Sequence, residues 1–385
     1  MPVAPAYLDN AATTAVDPRV AALMAQCLTA EGTFGNASST HVYGREAAAR
    51  IATARREVAA VIGARPEEIV FTSGATEASN LALLGTARAN ADRRHHLVTS
   101  RTEHHATLDP LRQLEREGWA VTRLTPDGEG RVSAEAVRAA LRPDTLLVSI
   151  MHVNNETGVV QDVAAIGAVC RAAGVLFHAD LAQSIGKLPT AQIADRIDFG
   201  SFTAHKIHGP KGIGALYVAA AARPWIAPIV HGGGQERGLR SGTLPTHQIV
   251  GFGRAAALAA SEGAADAGRM RALRTLLWNG LAALPRVYPN SPLEDGSPAI
   301  LNVAFAGVEG ESLVTALTDI AVSTGSACSS ASGEPSYVLR ALGRTAELAQ
   351  SSLRFSFGRD TQVVDVERAI AAVRAAVTRL REVAP

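Results

Sequence analysis

The 385-residue chain is 47% hydrophobic and 19% charged, enough apolar material to fill one large core or two smaller ones, which excludes a disordered chain. With 37 Lys and Arg against 36 Asp and Glu, a net charge of +1 supplies no basic field for phosphate backbones, so direct nucleic-acid binding is not expected. No run approaches the ~20 apolar residues that span a bilayer, and three scattered cysteines without CxxC spacing suggest neither a disulfide framework nor a zinc clip; the expectation is a cytoplasmic protein with no membrane partner.

Along the chain, short β-branched runs alternate with amphipathic Ala/Leu/Arg segments. Strands are predicted at residues 69–72, 97–100, 120–124, 146–151, 175–179, 199–203 and 215–218, with helices at 77–88, 110–117, 134–141 and 163–173 between them. This is the α/β pattern of a parallel sheet with crossover helices. Beyond Thr246 the texture changes to long helices at 248–261 and 269–284, isolated strand-like runs at 300–305 and 353–357, and a last helix at 363–382. These read as a second, smaller α+β domain, connected by its first long helix.

Ligands of open α/β sheets bind beyond the carboxyl ends of the strands, so polar residues there are the candidates. Ser73-Gly74-Ala75-Thr76-Glu77 opens a helix where a phosphate could sit, although a simply capped helix reads the same way. Glu103-His104-His105 and Asn154-Asn155-Glu156 follow strands and, taken singly, fit surface turns. Asp180 ends an apolar strand and needs a cationic or hydrogen-bonding partner, with Gln183 shortly after it. Lys206 follows another strand, just before the turn Gly209-Pro210-Lys211-Gly212. The chain has three lysines, Lys187, Lys206 and Lys211, and position favours Lys206 for any lysine chemistry.

Together, a phosphate cradle, a carboxylate, a ring-sized polar side chain and a lysine at strand ends form the kit for pyridoxal phosphate. Cys27 and Cys170 sit in apolar helical segments and read as core residues. Cys328, in a run of Gly, Ser and Ala, reads as an exposed thiol, a few per cent of it thiolate at neutral pH for a pKa near ~8.5. His231-Gly232-Gly233-Gly234 lacks a companion G-x-S-x-G elbow, which discards a serine hydrolase, and neither G-x-G-x-x-G nor a P-loop occurs.

These residues resemble the cysteine desulfurases of the IscS/NifS type, within aminotransferase class V, almost end to end. The resemblance is carried by LDNAATT at 8–14, FTSGATEASN at 71–80, TEHHA at 102–106, SIMHVNNETGVVQD at 149–162, HADLAQS at 178–184, HKIHGPKGIGALY at 205–217, HGGGQERGLRSGT at 231–243 and GSACSSASGEPSYVLRALG at 325–343. It implies the type I fold of pyridoxal-phosphate transferases, with a large domain of mostly parallel seven-stranded sheet at 15–260. A smaller α+β domain would comprise 1–14 and 261–385 and carry the catalytic cysteine loop.

The resemblance implies pyridoxal 5′-phosphate as cofactor, held covalently by Lys206, with His104 stacked on the ring and moving protons and Asp180 at the ring nitrogen. Gln183 and Asn155 would address the phenolate oxygen and the substrate; Ala75, Thr76, Thr203 and His205 would hold the phosphate, joined by Thr243 of a second subunit in a homodimer. Arg354 would clamp the carboxylate of L-cysteine. Cys328 would take the sulfur as a persulfide and pass it to an iron-sulfur scaffold protein and to other acceptors, tRNA thiolation among them; no resident metal is implied, although Cys328 could hold a transient iron-sulfur cluster. The chain departs from the family pattern at Thr203-Ala204, for Ser-Gly, and at Leu181-Ala182, for Ala-Thr. Both changes are expected to alter packing more than chemistry. It ends at Pro385, where the pattern continues into a tail that meets the scaffold.

Overall fold

The computed structural model describes residues 4–324 and 334–383. Its strands are β1 (Ala6–Tyr7), β2 (Ile69–Thr72), β3 (His96–Ser100), β4 (Ala120–Leu124), β5 (Thr145–Ser149), β6 (Leu176–Asp180), β7 (Phe199–Thr203), β8 (Gly214–Val218), β9 (Val287–Pro289), β10 (Ile300–Phe305), β11 (Ile320–Ala321), β12 (Ser323–Thr324) and β13 (Ser352–Ser356). Its helices are α1 (Pro18–Ala25), α2 (Val42–Ala60), α3 (Ala75–Ala89), α4 (His105–Arg116), α5 (Ala134–Ala140), α6 (Val163–Ala172), α7 (Thr246–Ala282), α8 (Gly310–Ala316), α9 (Tyr337–Ala341), α10 (Ala346–Gln350) and α11 (Val363–Val383).

Seven strands form one sheet in the order β2-β8-β7-β6-β5-β3-β4. Strands β3 to β7 pair in parallel because each connection contains enough chain to cross back over the sheet. Strand β8 runs antiparallel to both β7 and β2, so β2 points the same way as the parallel set. Successive side chains of these strands enter opposite layers: Phe71, Val98 and Phe202 pack with α2 residues Ile51 and Val58, whereas Val70, Leu97 and Phe199 pack with Leu81 of α3 and Leu111 of α4. Burial on both faces explains why the strands read as continuous apolar runs.

A four-stranded antiparallel sheet, β12-β13-β10-β9, has its own core, in which Leu301, Val303, Leu353 and Phe355 meet Val366 and Val373 of α11. Ala6 and Leu8 join this core, and β1 pairs with β11. The runs read as isolated strands are direct neighbours here, with Asn302 opposite Arg354.

One helical expectation is corrected: the two long helices predicted at 248–261 and 269–284 are a single 37-residue helix, α7. Gly263 and Gly268 each weaken a helix by about 1 kcal/mol, which is why the sequence reads as broken there. Tertiary packing offsets the loss. A Cβ on Gly263 would lie 3.0 Å from the Gly186 carbonyl oxygen, and Asp266 is buried in an ion pair with Arg359 at 2.9 Å. Ile249 and Phe252 of α7 belong to the core of the large sheet, and Met270 and Leu277 to that of the small one. Among the described residues, no helix is long and apolar enough to cross a membrane.

Candidate active site

Strands β2, β3, β5, β6 and β7 share one direction, so their carboxyl ends open on one edge of the sheet. The chain leaves β3 toward β4 and β5 toward β6, in opposite senses, and the crevice at such a reversal is where α/β sheets bind ligands. A cavity of about 500 Å³ lies along this edge. Of the residues singled out from sequence, Ala75, Thr76, His104, Asn155, Asp180, Gln183, Thr203, His205, Lys206 and Arg354 all line it. Thr243 is exposed and lies outside its lining, and Cys328 falls outside the described residues.

Helix α3 begins at the cavity wall with Gly74 as its cap and no capping side chain. Its first N–H groups and its dipole therefore offer an anion site. Glu77 accepts the Ser73 N–H at 2.8 Å and pairs with Arg240 at 2.8 Å, which fixes the turn into the helix. Across from it, the Thr203 hydroxyl donates to the Ile213 carbonyl at 3.0 Å, and His205 Nδ1 lies 3.1 Å from the Thr13 hydroxyl. Burial first, then the neighbouring Lys206, Lys211 and Lys187, hold His205 down to about 4, so its ring is neutral.

Lys206 Nζ donates to the carbonyl oxygens of Ala11 and, at 2.7 Å, Ala12. His104 caps α4, its Nδ1 accepting the Ala106 N–H at 3.0 Å, which leaves the ring proton on Nε2; burial lowers its pKa. Asp180 accepts the Ala182 N–H at 2.9 Å, and burial raises its pKa against the opposing effects of that bond, His104 and Lys206. Below it in β6, His178 bridges the Ser149 and Ser201 hydroxyls at 2.8 and 3.1 Å, and burial pushes it down to about 3.

Arg354, 3% exposed in mid-strand β13, donates to Asp9 at 2.8 Å and to the Asn155 carbonyl at 3.0 Å. Asn154 shapes the loop that presents Asn155: its Oδ1 accepts the Glu156 and Thr157 N–H groups, and its Nδ2 donates to Thr102. The surface-turn reading of Glu103 and Glu156 is overturned. Glu103 is wholly buried and accepts the Met151 N–H, its carboxyl pushed well up by burial; Glu156 is bonded to the Ser336 hydroxyl and burial raises it to about 7. Each departure from the family pattern puts one residue in the core, Leu181 and Ala204 being fully buried, and one on the cavity lining, Ala182 and Thr203.

Sequence reasoning gave no role to Tyr337, whose hydroxyl donates to the Glu103 carbonyl at 2.6 Å and whose ring packs against His105 at 5.2 Å. Nor did it see that the Ala11 and Ala12 carbonyls would receive the lysine. Backbone acceptors carry no signature in a sequence.

The cavity fits pyridoxal 5′-phosphate on its own chemistry. The uncapped helix end suits a phosphate, and Asp180 is a buried carboxyl disfavoured as an anion until a cation faces it. Asn155 Oδ1 and Arg354 Nε, both buried, have no hydrogen-bond partner among the described residues. Such atoms call for a polar group from outside the chain.

Comparison with known proteins agrees with this chemistry. Residues 6–369 match the aminotransferase class-V family. The chain is 56% identical over 382 residues to the cysteine desulfurases IscS of Serratia proteamaculans and Klebsiella pneumoniae, covering 99% of this chain and 95% of each relative. A solved NifS-like protein superposes with a TM-score of 0.91 at 36% identity, covering 98% of this chain and all of that one. SspA in complex with cysteine superposes at 0.80 with 37% identity, covering 91% and 98% of the two chains.

Proposed function

This chain belongs to the aminotransferase class-V family and, within it, to the IscS-type cysteine desulfurases, which share the type I fold and use pyridoxal 5′-phosphate; on that premise we propose that it removes sulfur from L-cysteine, giving L-alanine and a persulfide on Cys328. One observation carries the reading: Lys206, Asp180, His104 and the uncapped end of α3 meet around a single cavity that Arg354 enters from the other sheet.

When bound, the cofactor supplies an electron-accepting ring. In our reading Lys206 Nζ holds it and takes the Cα proton of the substrate, with the Ala11 and Ala12 carbonyls keeping the amine at the cavity wall. Asp180 would face the ring nitrogen and keep it protonated, and His104, neutral and protonated at Nε2, would move a proton. Ala75, Thr76, Thr203 and His205 bind the phosphate, and Gln183 and Asn155 orient the phenolate oxygen and the substrate. Arg354 takes the substrate carboxylate with its planar fork. The thiolate of Cys328 then attacks the substrate sulfur; its S–S bond forms as the carbon–sulfur bond breaks, and the carbon is reprotonated to alanine.

The flanks of the segment carrying Cys328 support this role. Thr324 pairs with Leu353, next to Arg354, and Ser336 is bonded to Glu156 on the cavity wall. We further propose a cytoplasmic homodimer in which Thr243 of one subunit completes the phosphate site of the other, the division into domains at 15–260 and at 1–14 with 261–385, and delivery of the sulfur to an iron-sulfur scaffold protein and to tRNA-thiolation acceptors. Mass spectrometry after exposure to L-cysteine should find one added sulfur atom on Cys328, and Cys328→Ser should abolish sulfide release. Full-rate release from that variant overturns the reading in favour of a lyase or aminotransferase in which the thiol is incidental.

A further inference from the structure

Lys187 is 7% exposed, although a lysine is rarely buried without a partner. It has one: its Nζ donates to Gln183 Oε1 at 2.9 Å, and Gln183 Nε2 donates in turn to the Ala11 carbonyl at 2.9 Å, the same oxygen that receives Lys206. A carboxamide can be turned either way round, and X-ray maps at ordinary resolution seldom distinguish its two ends. Here the partners decide. The ammonium has hydrogens only to give and the carbonyl has only lone pairs, so one orientation satisfies both. The reverse would set Nε2 against Nζ and Oε1 against the carbonyl. In the orientation present, Nε2 keeps a second hydrogen, the one donor of the Gln183 side chain not already used, at the cavity it lines.

We propose that Lys187 is a positioning residue, fixing the Gln183 carboxamide so that it offers an N–H donor rather than a carbonyl oxygen to the anionic oxygen of the bound cofactor. This rests on the assignment of the cavity to pyridoxal 5′-phosphate. Burial, with lesser contributions from Lys206 and Arg354, lowers Lys187 to about 7. The orientation survives its deprotonation, because the neutral amine still has two hydrogens for Oε1. Neither Lys187 nor its bond to Gln183 takes part in the proposed chemistry, so the effect is confined to how the cofactor is held.

The test is the pH titration of the visible absorbance of the holoenzyme without substrate, in the wild type, Lys187→Met, Gln183→Ala and the double variant. Removing a donor from an anionic oxygen favours the protonated form, so each single variant should move the midpoint upward by about one pH unit, the worth of one hydrogen bond. The double variant should move no further than either single one. An unchanged midpoint in Lys187→Met overturns the proposal, as does a double variant whose shift is the sum of the two, since Lys187 would then act through its charge alone. If Lys187→Met does not accumulate folded, Lys187→Leu, which likewise has no donor for Gln183 Oε1, carries the same test, a midpoint raised by about one unit supporting the proposal and an unmoved one overturning it. A wild type that takes up no cofactor and shows no visible band fails at the assignment of the cavity itself, an outcome distinct from the others.

Discussion

The two sheets serve the same cavity in opposite ways. The seven-stranded sheet lends residues from where its strands stop: His104 after β3, Asn155 after β5, Asp180 at the end of β6, Lys206 after β7. The four-stranded sheet lends Arg354 from the middle of β13, its position dictated by pairing with Asn302 and its fork by Asp9 and Asn155. Strand ends allow varied groups to converge on a reacting centre, whereas a strand interior holds one group in a fixed aim. The proposed proton transfers lie with the first sheet, whereas the proposed grip on the substrate carboxylate, and the chain that leads from β12 to Cys328, lie with the second.

The sharpest way to break this comparison is at its chemical side. Lys206→Ala should lower turnover of L-cysteine roughly 10⁴-fold in a steady-state assay of alanine release, as loss of a positioned proton acceptor does at the upper end of its range. At the other sheet, Arg354→Gln should raise KM for L-cysteine roughly 100-fold and lower kcat much less, because it removes one partner of a buried charge pair, a change worth about 2–5 kcal/mol. A fall confined to kcat would place Arg354 with the chemistry and erase the distinction. Acid should find the large sheet through His178. Its folded pKa of about 3 lies below the ordinary 6.5, so between those values the unfolded chain binds a proton that the folded chain refuses. Stability from this group is fully present above about 6.5 and is lost as pH falls toward 3; urea melts should show it contributing about 2 kcal/mol less at pH 5 than at 6.5, and His178→Asn should flatten that slope. The smallest effect belongs to Cys170 in α6, whose thiol burial pushes up to about 12. Cys170→Ala should leave sulfur transfer within about twofold of wild type and cost about 1 kcal/mol of stability, the worth of a small buried group.

Much of the large sheet was legible because its strands are buried on both faces and therefore apolar throughout, with polar residues marking where each stops. Asp180 and Lys206 stood out for that reason. Arg354 did not stand out by pattern, because a charged residue within a strand-like run is explained only by its partners, Asp9 and the Asn155 carbonyl, which are remote in sequence; the family resemblance supplied it. Glu103 and Glu156 were misread as surface residues since their partners, Met151 and Ser336, are brought to them by the fold. The break wrongly inserted into α7 has the same origin, local glycines outweighing a contact with Gly186 that propensity cannot see. Lys187 was visible as one of three lysines, but its bond to Gln183, one turn away, needed the geometry.

The seam that closes the smaller core joins distant parts of the chain. Asn10 donates to the Ser356 carbonyl across 346 positions, and Ala6 and Leu8 complete a hydrophobic cluster with Ile320 and Phe357. During translation, at ~5–20 residues per second, the segment around Leu8 leaves the ribosome tens of seconds ahead of its partners. Because its partners in this core lie at the far end of the chain, that stretch stays unsatisfied until they too have been synthesised.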